Sequence, residues 1–235
     1  MSTRALAYHL TPGRGPTLVF LPGYASDMTG TKALAVEAWA KAHDRACVRF
    51  DYAGCGASPG AFEDFTLADW RDDALAVIDQ LVDGPVVLIG SSMGGWIMLL
   101  AALARPDRIA ALVGIAAAPD FTSWGFTDAE KATLRRDGRL EQPSPYSDRP
   151  TVTTLGFWEA GEALRVMRPG IPIDCPVRLI QGQADPDVPW ELGVQLAGCI
   201  RSADVQTILV KDGDHRLSRD GDIGTLISTI EMLTP

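Results

Sequence analysis

The sequence predicts an α/β fold in which helices flank a mostly parallel central sheet. Short apolar runs rich in β-branched residues recur along the chain, and amphipathic helical patterns lie between most of them. This alternation is typical of a parallel sheet covered on both faces. The length of 235 residues and the 46% of apolar residues suit one large domain, which we expect to span residues 1–235.

The expected elements follow in chain order. The strand-like runs are 4–10, 17–21, 46–50, 85–90, 109–116, 176–182 and 205–210. The helical patterns are 31–42, 67–82, 93–104, 191–200 and 222–233. Most of these runs have the lengths that strands and helices of compact domains show, so their order predicts the layers of the fold.

One segment breaks the alternation. Residues 119–170 separate the strand near 109–116 from the strand near 176–182, and they contain helical patterns near 127–136 and 153–165. Six of the 17 aromatic residues fall in this segment: Phe121, Trp124, Phe126, Tyr146, Phe157 and Trp158. A long insertion in a compact domain is usually a lid or a binding loop, so we expect a helical lid here. The alternative is an excursion with a small core of its own.

The composition excludes several classes of protein. A formal net charge of −9 argues against nucleic acid and anionic membrane surfaces as main partners. No apolar run reaches the length of a membrane span, and the first ten residues, MSTRALAYHL, lack the apolar core of a signal peptide. The four cysteines show no C-x-x-C spacing, which favours reduced thiols. We therefore expect a cytoplasmic location.

The stretch VVLIGSSMGGWIMLL, residues 86–100, predicts a nucleophilic serine. A strand-like run enters it and a helical pattern leaves it, so the chain must turn sharply at the glycines. The frame G-x-S-x-G fits Ser92, which has Gly90 and Gly94 on either side, and it does not fit Ser91. This is the pattern of a nucleophile elbow, in which a strained turn exposes the serine.

A serine needs a base and an orienting acid to become a nucleophile. Of the three histidines, only His215 lies in a polar loop directly after a predicted strand, where α/β folds place their chemistry. The acid belongs in the loop LIQGQADPDVPWE, where Asp185 is favoured. Asp187 is the alternative, and we otherwise expect it to cap the following helix. Asp214, next to His215, is expected to play a supporting part.

The oxyanion of an acyl-transfer reaction needs two backbone N–H donors. One comes from Met93, directly after the predicted nucleophile, and the other from Tyr24 or Ala25 in the glycine-containing loop after an early strand. The turn FDYAGCGASPG has the spacing G-x-G-x-x-x-G, which is not the dinucleotide fingerprint. We therefore expect neither a cofactor nor a metal.

These motifs together resemble the α/β-hydrolase superfamily. The segments FLPGYASDMTG, RFDYAGCGASPG, GSSMGGWIMLL, CPVRLIQGQADPDVPW and KDGDHR are similar to a branch that contains mitochondrial palmitoyl-protein thioesterases that also cleave acyl glucuronides. The resemblance implies cofactor-free cleavage of thioesters and esters. It also implies a catalytic triad at Ser92, Asp185 and His215, with Tyr24 and Met93 as the oxyanion residues.

The predicted function is that of a serine hydrolase working through an acyl-enzyme, with a small ester or thioester, or an S-acylated protein, as substrate. The lid residues expected to line an apolar acyl pocket are Trp124, Phe126, Phe157 and Trp158. Alternatives are a carbon–carbon hydrolase or lactonase with the same triad, and a ligand receptor without turnover. The lid arginines Arg135, Arg136, Arg139 and Arg149 either form a solvated face or meet an anionic substrate.

Overall fold

A computed structural model describes residues 5–144 and 150–234 of the chain. Two residues singled out in the sequence, Tyr146 and Arg149, lie outside these ranges. The nine strands of the described residues are β1 (Tyr8–Thr11), β2 (Arg14–Leu21), β3 (Arg45–Phe50), β4 (Val86–Ser91), β5 (Ile109–Ile115), β6 (Arg139–Gln142), β7 (Thr151–Thr154), β8 (Val177–Gly182) and β9 (Val205–Val210).

The eight α-helices of the described residues are α1 (Thr31–Ala42), α2 (Leu67–Gln80), α3 (Met93–Ala104), α4 (Phe121–Trp124), α5 (Asp128–Asp137), α6 (Leu155–Ala163), α7 (Glu191–Cys199) and α8 (Asp220–Leu233). Sequence signals fix several of their ends. Thr66 caps α2 by accepting the N–H of Asp69, whose carboxylate in turn accepts the N–H of Thr66. Such a capping box satisfies two N–H groups that a helix end leaves unbonded. Among the described residues, no helix is long and apolar enough to cross a bilayer.

The central sheet has seven strands in the order β1-β3-β2-β4-β5-β8-β9. Every neighbouring pair is parallel except β1 with β3, so the sheet is mostly parallel, as predicted. Parallel neighbours end at the same edge of the sheet, so the loops after β2, β4, β8 and β9 meet there. That edge carries the candidate site.

Both faces of the sheet are covered, and the strand side chains alternate between them. In β2, Val19 and Leu21 pack into a core that includes α2 and α3, whereas Leu18 and Phe20 pack into a second core beneath α1 and α8. Burial on both faces explains why β4 reads as a continuous apolar run rather than as an alternating one.

The insertion at 119–170 contains α4, α5, the hairpin of β6 and β7, and α6. Helix α5 lies close to the predicted range 127–136. The second predicted helix is shorter than expected because residues 151–154 form β7, which pairs antiparallel with β6. Thr151–Thr154 has the sequence TVTT, which is entirely β-branched and favours a strand. The helical pattern of the next residues obscured this short signal.

Candidate active site

Ser92 occupies the sharp turn between β4 and α3 that the sequence predicts. Its backbone has φ 55° and ψ −119°, a region that costs a non-glycine residue about 1–3 kcal/mol. Its N–H donates to the carbonyl of Ile115 at 2.9 Å, and its own carbonyl accepts from Gly95 at 2.9 Å and Ala118 at 3.1 Å. These three bonds hold the strained conformation in place.

The glycines around Ser92 allow close backbone approaches. A Cβ on Gly94 would lie 2.0 Å from the carbonyl oxygen of Leu21, and one on Gly90 would lie 2.4 Å from the carbonyl oxygen of Gly94. A Cβ on Gly95 would lie 2.5 Å from the Cβ of Ala117. Helix α3 therefore starts in direct contact with the end of β2 because these positions have no side chain.

Ser92, His215 and Asp185 form one line of hydrogen-bonding groups. The Nε2 of His215 is 3.1 Å from the Oγ of Ser92, and its Nδ1 is 2.9 Å from the Oδ2 of Asp185. The Asp185 side chain is fully buried, and 15% of the His215 side chain is exposed. When Nδ1 donates to the carboxylate, Nε2 acts as the acceptor for the hydroxyl proton of Ser92.

The Asp185 carboxylate is held by further donors. Its Oδ1 accepts the backbone N–H groups of Asp187 at 2.8 Å and Val188 at 2.9 Å, and its Oδ2 also accepts from the amide of Gln181 at 3.3 Å. These bonds fix the orientation of the carboxylate. The structure thus places Asp185 in hydrogen-bonding contact with His215, and the Asp187 carboxylate lies nearby. Sequence reasoning missed Gln181, which points from the end of β8 toward this carboxylate.

The expected capping role of Asp187 is wrong. Helix α7 begins at Glu191 with Trp190 as its N-cap residue, and no side chain caps it. The sequence PDVP places a proline between Asp187 and the helix, so the chain makes another turn first. Asp214 accepts the N–H of Leu217 at 2.9 Å and so shapes the loop that carries His215.

The loops carrying the acid and the base pack directly on each other. A Cβ on Gly182 would lie 2.2 Å from the carbonyl oxygen of Gly213. That carbonyl accepts the N–H of Ala184 at 2.9 Å. The missing side chain at Gly182 therefore lets the ends of β8 and β9 carry Asp185 and His215 to within hydrogen-bonding distance.

The expected oxyanion donors lie beside Ser92. Met93 is the first residue of α3, so its N–H has no acceptor within the helix. A Cβ on Gly23 would lie 3.4 Å from the Cβ of Ser92, which places the Gly23–Tyr24 backbone against the nucleophile. Ala25 follows with φ 51°, which indicates a tight turn. Both expected donors thus lie close to the nucleophile, and their role as an oxyanion hole stays a prediction.

A cleft of about 1220 Å³ opens above Ser92 and His215. Trp124 and Phe126 line it, as expected, and so does Phe121. The expectation that Phe157 and Trp158 line it is wrong. Phe157 is 1% exposed and packs from the lid onto Tyr24 and Trp70 of the body.

Trp158 belongs instead to a small core inside the lid. It packs with Phe126 and Leu134, and its indole N–H donates to the carbonyl of Thr122 at 2.9 Å. The guanidinium of Arg135 lies 4.7 Å from its ring centroid. Phe157 and Trp158 are successive residues of α6, a helix of nine residues, so their side chains point to different faces of it. The aromatic composition of the segment does not show which of these faces meets the cleft.

Arg136 and Arg139 form ion pairs and do not line the cleft. Arg136 pairs with Asp137 at 2.6 Å, and Arg139 pairs with Glu141 at 2.5 Å and with Glu63 at 3.3 Å. Together with the stacking of Arg135 on Trp158, these contacts favour the solvated-face interpretation over an anionic substrate site.

Polar residues that sequence reasoning missed complete the cleft. The β6–β7 hairpin contributes Gln142 and residues 151–153, and the opposite side carries Lys32 and Arg216. The ammonium of Lys32 donates to the carbonyl of Arg216, next to His215. Burial, and then the nearby charge of Arg216, lower the pKa of Lys32 to about 8. A lone lysine at the start of a helix gives no sequence signal of this contact.

Within residues 5–144 and 150–234, one group of side chains has nitrogen and oxygen atoms close enough to bind a metal, all within 4.8 Å. This group is Asp185, Asp187 and His215. The facing atoms of Asp185 and His215 already bond each other, and the other nitrogen of His215 faces Ser92. The arrangement is therefore that of a base with its orienting acid.

An α/β hydrolase is defined by this sheet topology, by a serine in a strained turn after a central strand, and by the hydrogen-bonded residues Ser92, His215 and Asp185. Residues 16–130 match the family model described as alpha/beta hydrolase fold. Human palmitoyl-protein thioesterase ABHD10, mitochondrial, is 43% identical over 232 residues, which cover 97% of this chain and 76% of the relative. The chain belongs to the α/β-hydrolase family, and it is an ester or thioester hydrolase.

Solved structures give the same result. Mouse alpha/beta hydrolase domain-containing protein 10 superimposes with a TM-score of 0.90 at 40% identity, over 97% of this chain and 93% of that one. A putative hydrolase from Agrobacterium vitis superimposes with a TM-score of 0.94 at 41% identity, over 99% and 94% of the two chains. The predicted fold class and the family resemblance are confirmed.

The expected cytoplasmic location is wrong. The relatives from Homo sapiens, Pongo abelii and Bos taurus, which are 42–43% identical to this chain, are all named as mitochondrial proteins. The expectation depended on the spacing of the cysteines and on the first ten residues, and neither feature distinguishes one reducing compartment from another.

Proposed function

We propose that this protein is a serine thioesterase and esterase that uses Ser92 as nucleophile, His215 as general base and acid, and Asp185 as the group that orients His215. The observation that carries the proposal is the continuous line of hydrogen-bonding distances from Ser92 Oγ to the Asp185 carboxylate at the floor of the cleft. The metal-free chemistry of acyl transfer needs this arrangement of groups.

In the first half-reaction, the Oγ of Ser92 attacks the carbonyl carbon of the substrate while Nε2 of His215 takes its proton. The Met93 and Tyr24 N–H groups donate to the resulting oxyanion. By comparison with subtilisin, one such donor stabilises the transition state by about 3–4 kcal/mol. The tetrahedral intermediate then collapses: its bond to the leaving sulfur or oxygen breaks, and the imidazolium of His215 protonates the leaving thiol or alcohol.

In the second half-reaction, His215 removes a proton from water, and the hydroxide oxygen bonds to the acyl carbon on Ser92. Collapse of this second tetrahedral intermediate breaks the bond to Ser92 Oγ, which regains its proton from His215. The carboxylic acid leaves and the starting enzyme is restored. Asp185 remains a carboxylate throughout and stabilises the imidazolium formed twice in the cycle.

The proposed substrates are thioesters or esters with an apolar acyl group, including S-acylated proteins. The lid side chains Phe121, Trp124 and Phe126 give one wall of the cleft an apolar aromatic surface. The cleft volume of about 1220 Å³ exceeds that of ordinary ligand sites, roughly 300–1,000 Å³, so there is room for a long acyl group. A relative named palmitoyl-protein thioesterase supports the same substrate class.

Active-site labelling tests the proposed nucleophile. The wild type, Ser92→Ala and Ser91→Ala are treated with a fluorophosphonate probe and assayed with acyl thioesters of two to sixteen carbons. Ser91 is a matched control because it is the neighbouring hydroxyl, buried at the end of β4. We expect labelling and thioester turnover to be lost only in Ser92→Ala, with medium or long chains preferred.

Two results would contradict the proposal. A folded wild type that neither reacts with the probe nor hydrolyses thioesters has no assembled triad. Turnover confined to lactones or vinylogous diketones, measured on the same preparation, assigns the triad to a different reaction.

A further inference from the structure

The side chain of Tyr24 connects residues 22–30, the loop between β2 and α1 that we call the oxyanion loop, to the lid. Its hydroxyl donates to the backbone carbonyl of Val152, in strand β7 of the lid hairpin, at 2.7 Å. Residues 24 and 152 are 128 positions apart in the chain, so the bond joins two separate parts of the fold. Burial raises the pKa of the Tyr24 phenol, so the hydroxyl remains a donor at every pH of interest.

The ring of Tyr24 contacts aromatic side chains on both sides of this junction. From the body of the protein, Phe62 and Trp70 approach edge-on at centroid distances of 5.0 and 5.9 Å. From the lid, Phe121 and Phe157 lie at 6.1 and 4.9 Å. Aromatic pairs in this distance range are attractive, so the ring has one preferred position.

The backbone of Tyr24 lies at the other end of this linkage, beside the nucleophile. Gly23, which precedes it, abuts Ser92 and has no side chain to limit rotation of the Gly23–Tyr24 peptide. The far end of the loop is held at Met28, whose N–H donates to Asp51 at 2.7 Å and whose carbonyl accepts from Arg49 at 2.6 Å. Between these points, the Gly23 carbonyl accepts the N–H of Ser26 at 3.3 Å, and the Tyr24 side chain adds contacts to the lid and the body.

We infer that the side chain of Tyr24 makes it a positioning residue: the hydrogen bond from its hydroxyl to Val152 aligns its backbone N–H with the oxyanion. The geometry of the oxyanion hole then depends on the position of the lid hairpin. The inference rests on the proposed function. Since strand β7 also lines the cleft, an acyl group seated against Val152 and Thr153 packs on the strand that holds Tyr24 in place. Binding and oxyanion stabilisation are then linked through one hydrogen bond.

Tyr24→Phe tests the inference because it removes the hydroxyl and keeps the ring contacts. The matched control is Tyr52→Phe: Tyr52 packs on the same Trp70, is fully buried, and has a hydroxyl without a hydrogen-bond partner among the described residues. The readouts are kcat and KM for a medium-chain thioester, the Ki of an alkyl trifluoromethyl ketone, and the Kd of the carboxylic acid product. The ketone binds as a hemiketal: Ser92 Oγ gives its proton to Nε2 of His215 and bonds to the carbonyl carbon, and the carbonyl electron pair moves to the oxygen, which becomes an oxyanion.

For Tyr24→Phe we expect kcat and kcat/KM to fall together by about 5- to 50-fold, between the loss of one hydrogen bond and the loss of a whole oxyanion donor. The Ki of the ketone should rise by a similar factor, while KM and the product Kd stay within about twofold, because only the transition state uses the aligned donor. Tyr52→Phe should leave all four values within about twofold. Melting temperatures check that both variants are folded.

Two results would overturn the inference in an active wild type. In the first, Tyr24→Phe behaves like Tyr52→Phe. In the second, KM and the product Kd rise at constant kcat, which makes Tyr24 a wall of the pocket only. A wild type without turnover instead contradicts the proposed function and the inference with it.

Discussion

At the residue scale, Asp185 is distinguished from Asp187 by its hydrogen bonds. Both aspartates lie in one short loop, and the spacing of the sequence leaves both open as the acid. Asp185 has one carboxylate oxygen on His215 and the other on two backbone N–H groups. The backbone donors prevent the carboxylate from turning away, so the imidazole keeps its proton on Nδ1.

Asp185→Asn is therefore expected to lower kcat for thioester hydrolysis by roughly 10³–10⁴-fold, the scale known for the equivalent change in serine proteases, because an amide can stabilise the wrong tautomer of the imidazole. Asp187→Asn is the matched control, since its backbone bond to Asp185 survives, and we expect its kcat to stay within about threefold. Steady-state kinetics on both variants decide the matter. A larger loss in Asp187→Asn than in Asp185→Asn would reverse the assignment.

The meeting of Ser92, Asp185 and His215 could be predicted from the sequence because each of these residues has a local signal. Ser92 is framed by glycines, and His215 and Asp185 follow predicted strands. The lid residues Phe157 and Trp158 could not be placed in the same way. Aromatic residues mark an apolar environment, and the direction of the side chain then depends on which helix face meets the body of the protein.

At the scale of elements, a buried ionic cluster joins α1 to β1 and β3. Glu37 of α1 accepts from Thr11 at 2.9 Å and pairs with Arg49 at 2.6 Å and with His9 at 2.6 Å. Burial alone raises the pKa of Glu37, but hydrogen bonds from Lys41, Thr11 and Arg49 outweigh it and lower that pKa to about 2. Arg49 also donates to the carbonyl of Met28, so the cluster fixes one end of the oxyanion loop.

The lowered pKa of Glu37 makes part of the stability dependent on pH. The folded-state value lies below the ordinary 4.5, so the stabilisation is complete above pH 4.5 and is lost as pH falls toward 2. The pH-dependent part amounts to about 3 kcal/mol in the free energy of unfolding. We expect urea unfolding to show Glu37→Gln strongly destabilised at pH 6, with a much smaller deficit near pH 2.5.

Asp79→Asn is the control for this measurement. It removes a carboxylate from the exposed pair with Arg105, and such pairs stabilise proteins by at most about 1 kcal/mol. A deficit in Glu37→Gln that does not change with pH, or one no larger than that of Asp79→Asn, would contradict the role of the cluster.

Helices and strands were predictable where one hydrophobic pattern continues over the whole length of the element. Helices α1 and α3 occupy the expected ranges because their apolar patterns are uninterrupted. The β6–β7 hairpin was not predicted, since RLEQ and TVTT are short and half-exposed and their pairing joins residues on either side of a loop. Yet this hairpin forms a wall of the cleft and receives the Tyr24 hydroxyl.

At the scale of the whole molecule, the fold collects groups that are distant in the chain. Ser92 and His215 are 123 residues apart, and they meet because β4 and β9 are parallel and end at the same edge of the sheet. The order of strands and helices predicts this meeting point. The shape of the cleft above it depends on how the lid packs against Tyr24 and Trp70, which is a tertiary property that no single segment encodes.

The central claim is that the reaction proceeds through an acyl group on Ser92. The most direct test is to mix the wild type with a medium-chain thioester, quench in acid within the first turnovers, and locate the added mass by peptide mass spectrometry. The account predicts one acyl group in place of one hydrogen, on Ser92, which disappears as substrate is exhausted. Turnover without an adduct, or an adduct on Ser91 or a cysteine, would contradict it.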